Sequence, residues 1–111
     1  MIYKIFRADE WAHLQTQGVT HGAPIDLIDG FIHFSTATQA AQTAALHFAG
    51  ATDLRLAAVD ENRLDPDLKW EKSRGGADFP HLYRALTMED VVWCVDLPLT
   101  ADGHVFPKDL T

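Results

Sequence analysis

The chain has little cysteine, little positive charge and no long apolar run, and each shortage excludes something. One cysteine, Cys94, permits no intramolecular disulfide and no cysteine-rich metal site. It sits in the apolar run Val91-Val92-Trp93-Cys94-Val95, which reads as a small buried hydrophobe rather than a nucleophile. Nine Lys and Arg against sixteen Asp and Glu leave a formal net charge of −7. Such a surface repels phosphate backbones, so generic binding of DNA or RNA is not expected, nor is docking on anionic membranes. No apolar stretch approaches the ~20 residues that span a bilayer. The start, MIYKIFRADE, lacks an extended apolar core and turns charged by Arg7, so a signal peptide is not expected and a cytoplasmic protein is. There is no P-loop, no G-x-G-x-x-G and no G-x-S-x-G. The histidines at 13, 21, 33, 47, 81 and 104 show no H-x-H or H-x-x-x-H spacing, so no metal is expected.

What remains suits one compact domain over residues 1–111, with 47% hydrophobic and 23% charged residues. Ile2-Tyr3-Lys4-Ile5-Phe6 reads as a first strand. A helix over about 8–17 follows, with Asp9 and Glu10 in its first turn and Gly18 as its stop. VTHGAPIDLIDG reads as loop and turns, with Asp29-Gly30 launching a strand over Phe31–Ser35. Thr36 with Gln39 matches a capping box, Ser35 being the competing N-cap. The helix beyond runs to about Phe48, with Ala37, Ala40, Ala41, Ala44, Ala45 and Phe48 on one face. Leu46 falls on the opposite face. DLRLAAVD is a strand with Leu54, Leu56 and Ala58 on one side and Ala57 and Val59 on the other. Val91–Val95 is apolar on both faces, which predicts a central strand. No helix is expected after residue 50, which excludes a doubly wound parallel sheet. The class is α+β, with about six short strands in a curved or split, largely antiparallel sheet and two helices in the N-terminal half.

Two stretches carry chemistry beyond what packing needs. Alternation along a strand puts Phe31, His33 and Ser35 on one face and Ile32 and Phe34 on the other. If the latter pair faces the core, His33 faces a cleft beside a helix N-terminus, where backbone N–H groups favour an anionic or polyhydroxylated ligand. The alternative is a partly exposed histidine beside a capping serine. In KWEKSRGGADFPHLY, charges crowd around Trp70, Gly75-Gly76 permits unusual backbone, and His81 and Tyr83 share a strand face. The alternative there is a solvated loop before a half-buried tyrosine.

DGFIHFST, LKWEKSRGGADFPHLYRAL and DGHVFP together resemble the small bacterial family catalogued as domain of unknown function 952. The resemblance covers nearly the whole chain. It carries a grouping with the ADP-ribosyltransferase-like superfamily, whose members bind NAD in the cleft of a split sheet. That resemblance implies that His33, with Ser35 or Thr36, holds a ribose. It implies that Tyr83 packs on the nicotinamide ring, and that Arg74 and His81 contact phosphate as a guanidinium fork and an imidazole do. The superfamily's late-strand glutamate has no clear match; Glu71 and Asp96 are the candidates, and Glu89 belongs to a turn. On this resemblance the catalytic set is His33, Tyr83 and Glu71. The cofactor set is His33, Ser35, Thr36, Arg74, His81 and Tyr83, and the ligand is NAD or an ADP-ribose derivative. Such an enzyme stabilises a developing oxocarbenium with oriented polar groups. The competing readings are a binding module for a nucleotide-like small molecule without turnover, and a scaffold in which these motifs are structural.

Overall fold

In the computed structural model the described residues are 1–110, with every side chain except that of Arg74. Strand β1 (Ile2–Arg7) leads directly into helix α1 (Ala8–Gln17), which Gly18 stops in the left-handed conformation, its N–H donating to the Leu14 carbonyl. After β2 (Val19–Thr20) comes helix α2 (Pro24–Asp29), then β3 (Ile32–His33) and helix α3 (Ala37–His47). The remainder is strand and short turn: β4 (Leu54–Val59), β5 (Leu68–Lys72), β6 (Asp78–Leu82), β7 (Leu86–Thr87), β8 (Val91–Leu97), β9 (Leu99–Thr100) and β10 (Gly103–His104).

All strand pairings are antiparallel. One three-stranded sheet has the order β1-β4-β8 and a second the order β3-β6-β5; β2-β7 and β9-β10 are short ribbons. The α+β class with antiparallel pairing expected from sequence is therefore observed, but the described residues form ten strands rather than about six, because two-residue ribbons flank the two main sheets. The two main sheets touch where Tyr3 and Ser35 exchange backbone hydrogen bonds, N–H to O, at 2.8 Å each way. Beyond that bridge they part, and β1 and β3 line the space between them.

The core lies on both faces of β4. Ala57 and Val59 pack with Ile2, Phe6, Leu14, Ile32, Phe34 and Leu82, and thus against α1 and the second sheet. Leu54, Leu56 and Ala58 pack with Tyr3, Ile5 and Ala44, and thus against α3. The alanines at 40 and 44 are buried and let α3 approach closely, while Leu46 is exposed.

Two further expectations are corrected. Among the described residues there are three α-helices rather than two, because residues 24–29 form α2 rather than a loop. Pro24 sits in its first turn, the Asp26 carboxylate accepts from the Ala23 N–H, and Gly30 closes it at φ 83°. The strand at 91–97 is an edge strand, and β4 is the central one. At this edge Val92 and Val95 are exposed, while Val91, Trp93 and Cys94 pack partly against the core.

Candidate functional site

The site grows from a buried carboxylate. Asp26 is 1% exposed and takes four hydrogen bonds. Its Oδ2 accepts from the Ala23 N–H at 2.8 Å and from the Lys4 ammonium at 3.0 Å. Its Oδ1 accepts from the His33 backbone N–H at 3.1 Å and from His33 Nδ1–H at 2.6 Å. Burial by itself would raise the Asp26 pKa. The His33 hydrogen bond and the Lys4 charge outweigh it and hold the carboxyl below its ordinary value. Lys4 is 6% exposed, and its Nζ also donates to the His33 carbonyl at 3.1 Å. One lysine therefore ties β1 to both α2 and β3. Gly22 makes room for this cluster: at φ 101°, a Cβ there would collide with the Asp26 side chain at Oδ2.

Alternation works on β3 as the sequence suggests. Ile32 and Phe34 are buried in the core. His33 faces the cleft, and its second ring nitrogen, Nε2, lies 3.0 Å from Asp29 Oδ2 at the end of α2. Both nitrogens of His33 therefore rest on carboxylate oxygens.

His81 stands directly across, paired with His33 in the β3–β6 register, ring centroids 5.3 Å apart and edge-on. It is 4% exposed. Its Nδ1–H donates to Glu71 Oε1 at 2.8 Å, and Tyr83 O–H donates to the same oxygen at 2.6 Å. The Tyr83 hydrogen bond, then the His81 one, holds the Glu71 pKa down, and the hydrogen bond to Glu71 pushes the Tyr83 phenol up. His81 Nε2 is buried with no hydrogen-bond partner among the described residues. Phe31 stacks on His81 at 4.2 Å and lies 4.6 Å from the His33 ring and 5.2 Å from Tyr83.

A cleft of about 730 Å3 opens along the split. Lys4, His33, Ser35, His81 and Asp29 line it on the polar side, and Ile25, Phe48 and Phe79 on the apolar side. Arg7 also lines it, its guanidinium 5.0 Å over the Phe48 ring. Tyr83 and Phe31 instead line a smaller cavity of about 360 Å3 with His21 and Arg84. The Arg84 guanidinium in that cavity is already engaged bidentately by Asp90, at 2.9 and 3.1 Å.

The expected residues thus fall into groups. His33, His81, Tyr83 and Glu71 form one side-chain cluster, and of these His33 and His81 line the large cleft. Ser35 lines it too, but its hydroxyl is bonded to Thr43 Oγ1 at 2.9 Å, fastening β3 to α3. Thr36 is the N-cap of α3, where its N–H donates to Gln39 Oε1 at 3.0 Å, and Gln39 Nε2 reaches the Asp78 carbonyl. Asp96 pairs with Arg55 on the other sheet. The Arg74 side chain lies outside the described ones. Sequence reasoning missed Lys4, Asp26 and Asp29. The signal for Lys4 was a single charge inside an apolar strand. For the aspartates it was the proline-first, glycine-last pattern of a short helix.

Residues 5–94 match the family described as a protein of unknown function (DUF952). The chain is similar to protein CC0527 from Caulobacter crescentus. Its crystal structure is 51% identical, with a TM-score of 0.89, covering 93% of this chain and 90% of that one. The solution NMR structure of CC0527 superposes with a TM-score of 0.83 at 51% identity, covering 93% of this chain and 89% of that one. Among curated proteins, none matches the chain.

Proposed function

The chain belongs to the DUF952 family of proteins of unknown function, and we propose that its cleft binds a nucleotide-like small molecule of the NAD or ADP-ribose type and acts on it at the ribosyl carbon. An ADP-ribosyltransferase-like arrangement of the split sheet is part of this proposal. The observation that carries it is the meeting of His33 and His81 across β3 and β6 at the cleft between the two sheets. The cleft volume lies within the roughly 300–1,000 Å3 of small-molecule sites, and its few polar groups converge among apolar walls. A buried imidazole nitrogen without a partner costs about 1–3 kcal/mol, which a ligand hydroxyl would relieve. In this reading His33 and His81 orient the ribose, Phe48 and Phe79 offer aromatic surface to a base, and the Arg7 fork at the same cleft meets the diphosphate. Of the carboxylates that line the cleft, Glu10, the buried Asp26 and Asp29, Asp29 is the one we assign to face a developing oxocarbenium.

A second reading, a binding module without turnover, is favoured by one specific feature. Glu71 is committed to Tyr83 and His81 and does not line the cleft.

Thermal unfolding with NAD, ADP-ribose and nicotinamide tests the proposal. A ligand at 100 times its Kd stabilises the native state by about 2.7 kcal/mol. We expect NAD or ADP-ribose to raise Tm; no shift with any of them at millimolar concentration refutes the nucleotide reading. Chromatography of the products set free from a ribosyl donor, against a His33→Ala control, separates the enzyme from the binder.

A further inference from the structure

We propose that His81 and His33 form a proton-transfer pair, with His81 Nε2 as acceptor and His33 Nε2–H as donor, suited to a ribosyl substrate whose leaving atom is oxygen. The substrate class rests on the nucleotide reading above; the division of labour rests on the hydrogen-bond partners alone.

The partners assign the protons. Glu71 is held ionised by Tyr83 and His81, and an ionised carboxylate only accepts. His81 Nδ1, at 2.8 Å from it, is therefore the N–H nitrogen. A neutral imidazole carries one N–H, so Nε2 is a bare lone pair. A proton on Nε2 as well would bury a charged donor with no acceptor among the described residues, the costlier state. His81 rests as a base. His33 has the opposite surroundings. Nδ1 lies 2.6 Å from Asp26 Oδ1 and Nε2 3.0 Å from Asp29 Oδ2, and two carboxylate acceptors call for two N–H donors. His33 is the donor of the pair. Lys4 donates to its carbonyl, and His81 stands across the strand pair with ring centroids 5.3 Å apart. On the other side, Lys69 is the β5 register partner of His81. Two like groups whose environments pull their protonation apart are how an acid and a base are assigned within one site.

The division of labour narrows the substrate. A nicotinamide leaves as a neutral ring and needs no proton, whereas an alkoxide does. Consider hydrolysis of an O-linked ribosyl bond. Water's oxygen forms the new bond to the ribosyl carbon, and its proton passes to His81 Nε2. The bond from that carbon to the leaving oxygen breaks, its electron pair stays on that oxygen, and His33 Nε2 supplies the proton after Asp29 yields its place. Solvent exchange then removes the proton from His81 Nε2 and restores the one on His33 Nε2.

Nitrogen-15 NMR of the histidine rings at pH 7 reads the resting state directly. The expected pattern is His81 with a protonated Nδ1 and a bare Nε2, and His33 protonated at both. A protonated His81 Nε2, or a bare His33 Nε2, overturns the pair. A peptide carrying O-linked ADP-ribose on serine tests the step. The wild type should release ADP-ribose, and His81→Gln should slow that release by about 100-fold or more, its folded state being checked by the amide NMR spectrum of the unliganded variant. Undiminished release from His81→Gln, or none from the wild type, overturns it. A thermal shift with ADP-ribose in that inactive wild type would leave the nucleotide reading standing, so the two failures are distinguishable.

Discussion

Replacing Asp26 by asparagine probes the structural root of the site. The asparagine keeps one acceptor oxygen, enough for the two bonds from His33. Its amide group would then face the Ala23 N–H and the Lys4 ammonium, donors against donors, where Oδ2 now accepts at 2.8 and 3.0 Å. Lys4 is nearly buried and pairs with no other carboxylate among the described residues, so its charge would be left in a low-dielectric site. Breaking one side of a buried ion pair costs about 3–5 kcal/mol. Total stability of a domain this size is about 5–15 kcal/mol, so the variant would lose a large share of it. With a urea slope of about 1–3 kcal/mol per M, the unfolding midpoint should fall by roughly 2 M. The Lys4→Met, Asp26→Asn double variant should recover part of the loss, since it removes the stranded charge. A midpoint shift below about 0.5 M for the single variant would refute the cluster as the anchor of α2 and β3.

Other consequences are checked as simply. Gly22→Ala should lower Tm even though it adds only a methyl group, because that carbon would collide with Asp26 Oδ2 and φ 101° suits glycine alone; about 1–3 kcal/mol is expected from the backbone strain. Asp26 and Asp90 both have carboxyls held below their ordinary values against the opposing effect of burial, Asp26 by His33 and Lys4 and Asp90 by Arg84 and Thr87. Their stabilisation is complete above the unfolded-state value of about 4 and lost as pH falls through the lower folded values. Urea midpoints should therefore stay level from pH 7 down to about 5 and drop steeply below 4. Cys94, whose thiol burial pushes up to about 11, should resist alkylation at pH 8, and its thiolate absorbance should rise only near that value.

The residues that were legible in sequence are those that obey local rules. Asp9, Glu10 and Gly18 announce α1, and the alanine stripe with its Thr36–Gln39 cap announces α3. His33 and His81 stood out because a histidine in an apolar strand has few structural uses. Helix α2 escaped because its pattern is inverted. Ile25, Leu27 and Ile28 face outward and the acid at 26 faces inward, so hydrophobic periodicity points the wrong way. The placement of β8 escaped for a related reason. An apolar run signals burial only if another layer covers it, and nothing local says that β8 lies at an edge with Val92 and Val95 exposed. Lys4 stands out as a single charge in an apolar strand, but its role was not legible. Its burial depends on Asp26, whose position is fixed only by tertiary contact.

The central claim is that the cleft between the two sheets is a nucleotide-binding site. A backbone amide NMR titration with ADP-ribose tests it most directly. The account predicts saturable shifts at Lys4, His33, Ser35 and His81, with the outer strand 91–97 unmoved. No shifts at millimolar ligand, or shifts confined to that outer strand, would contradict it.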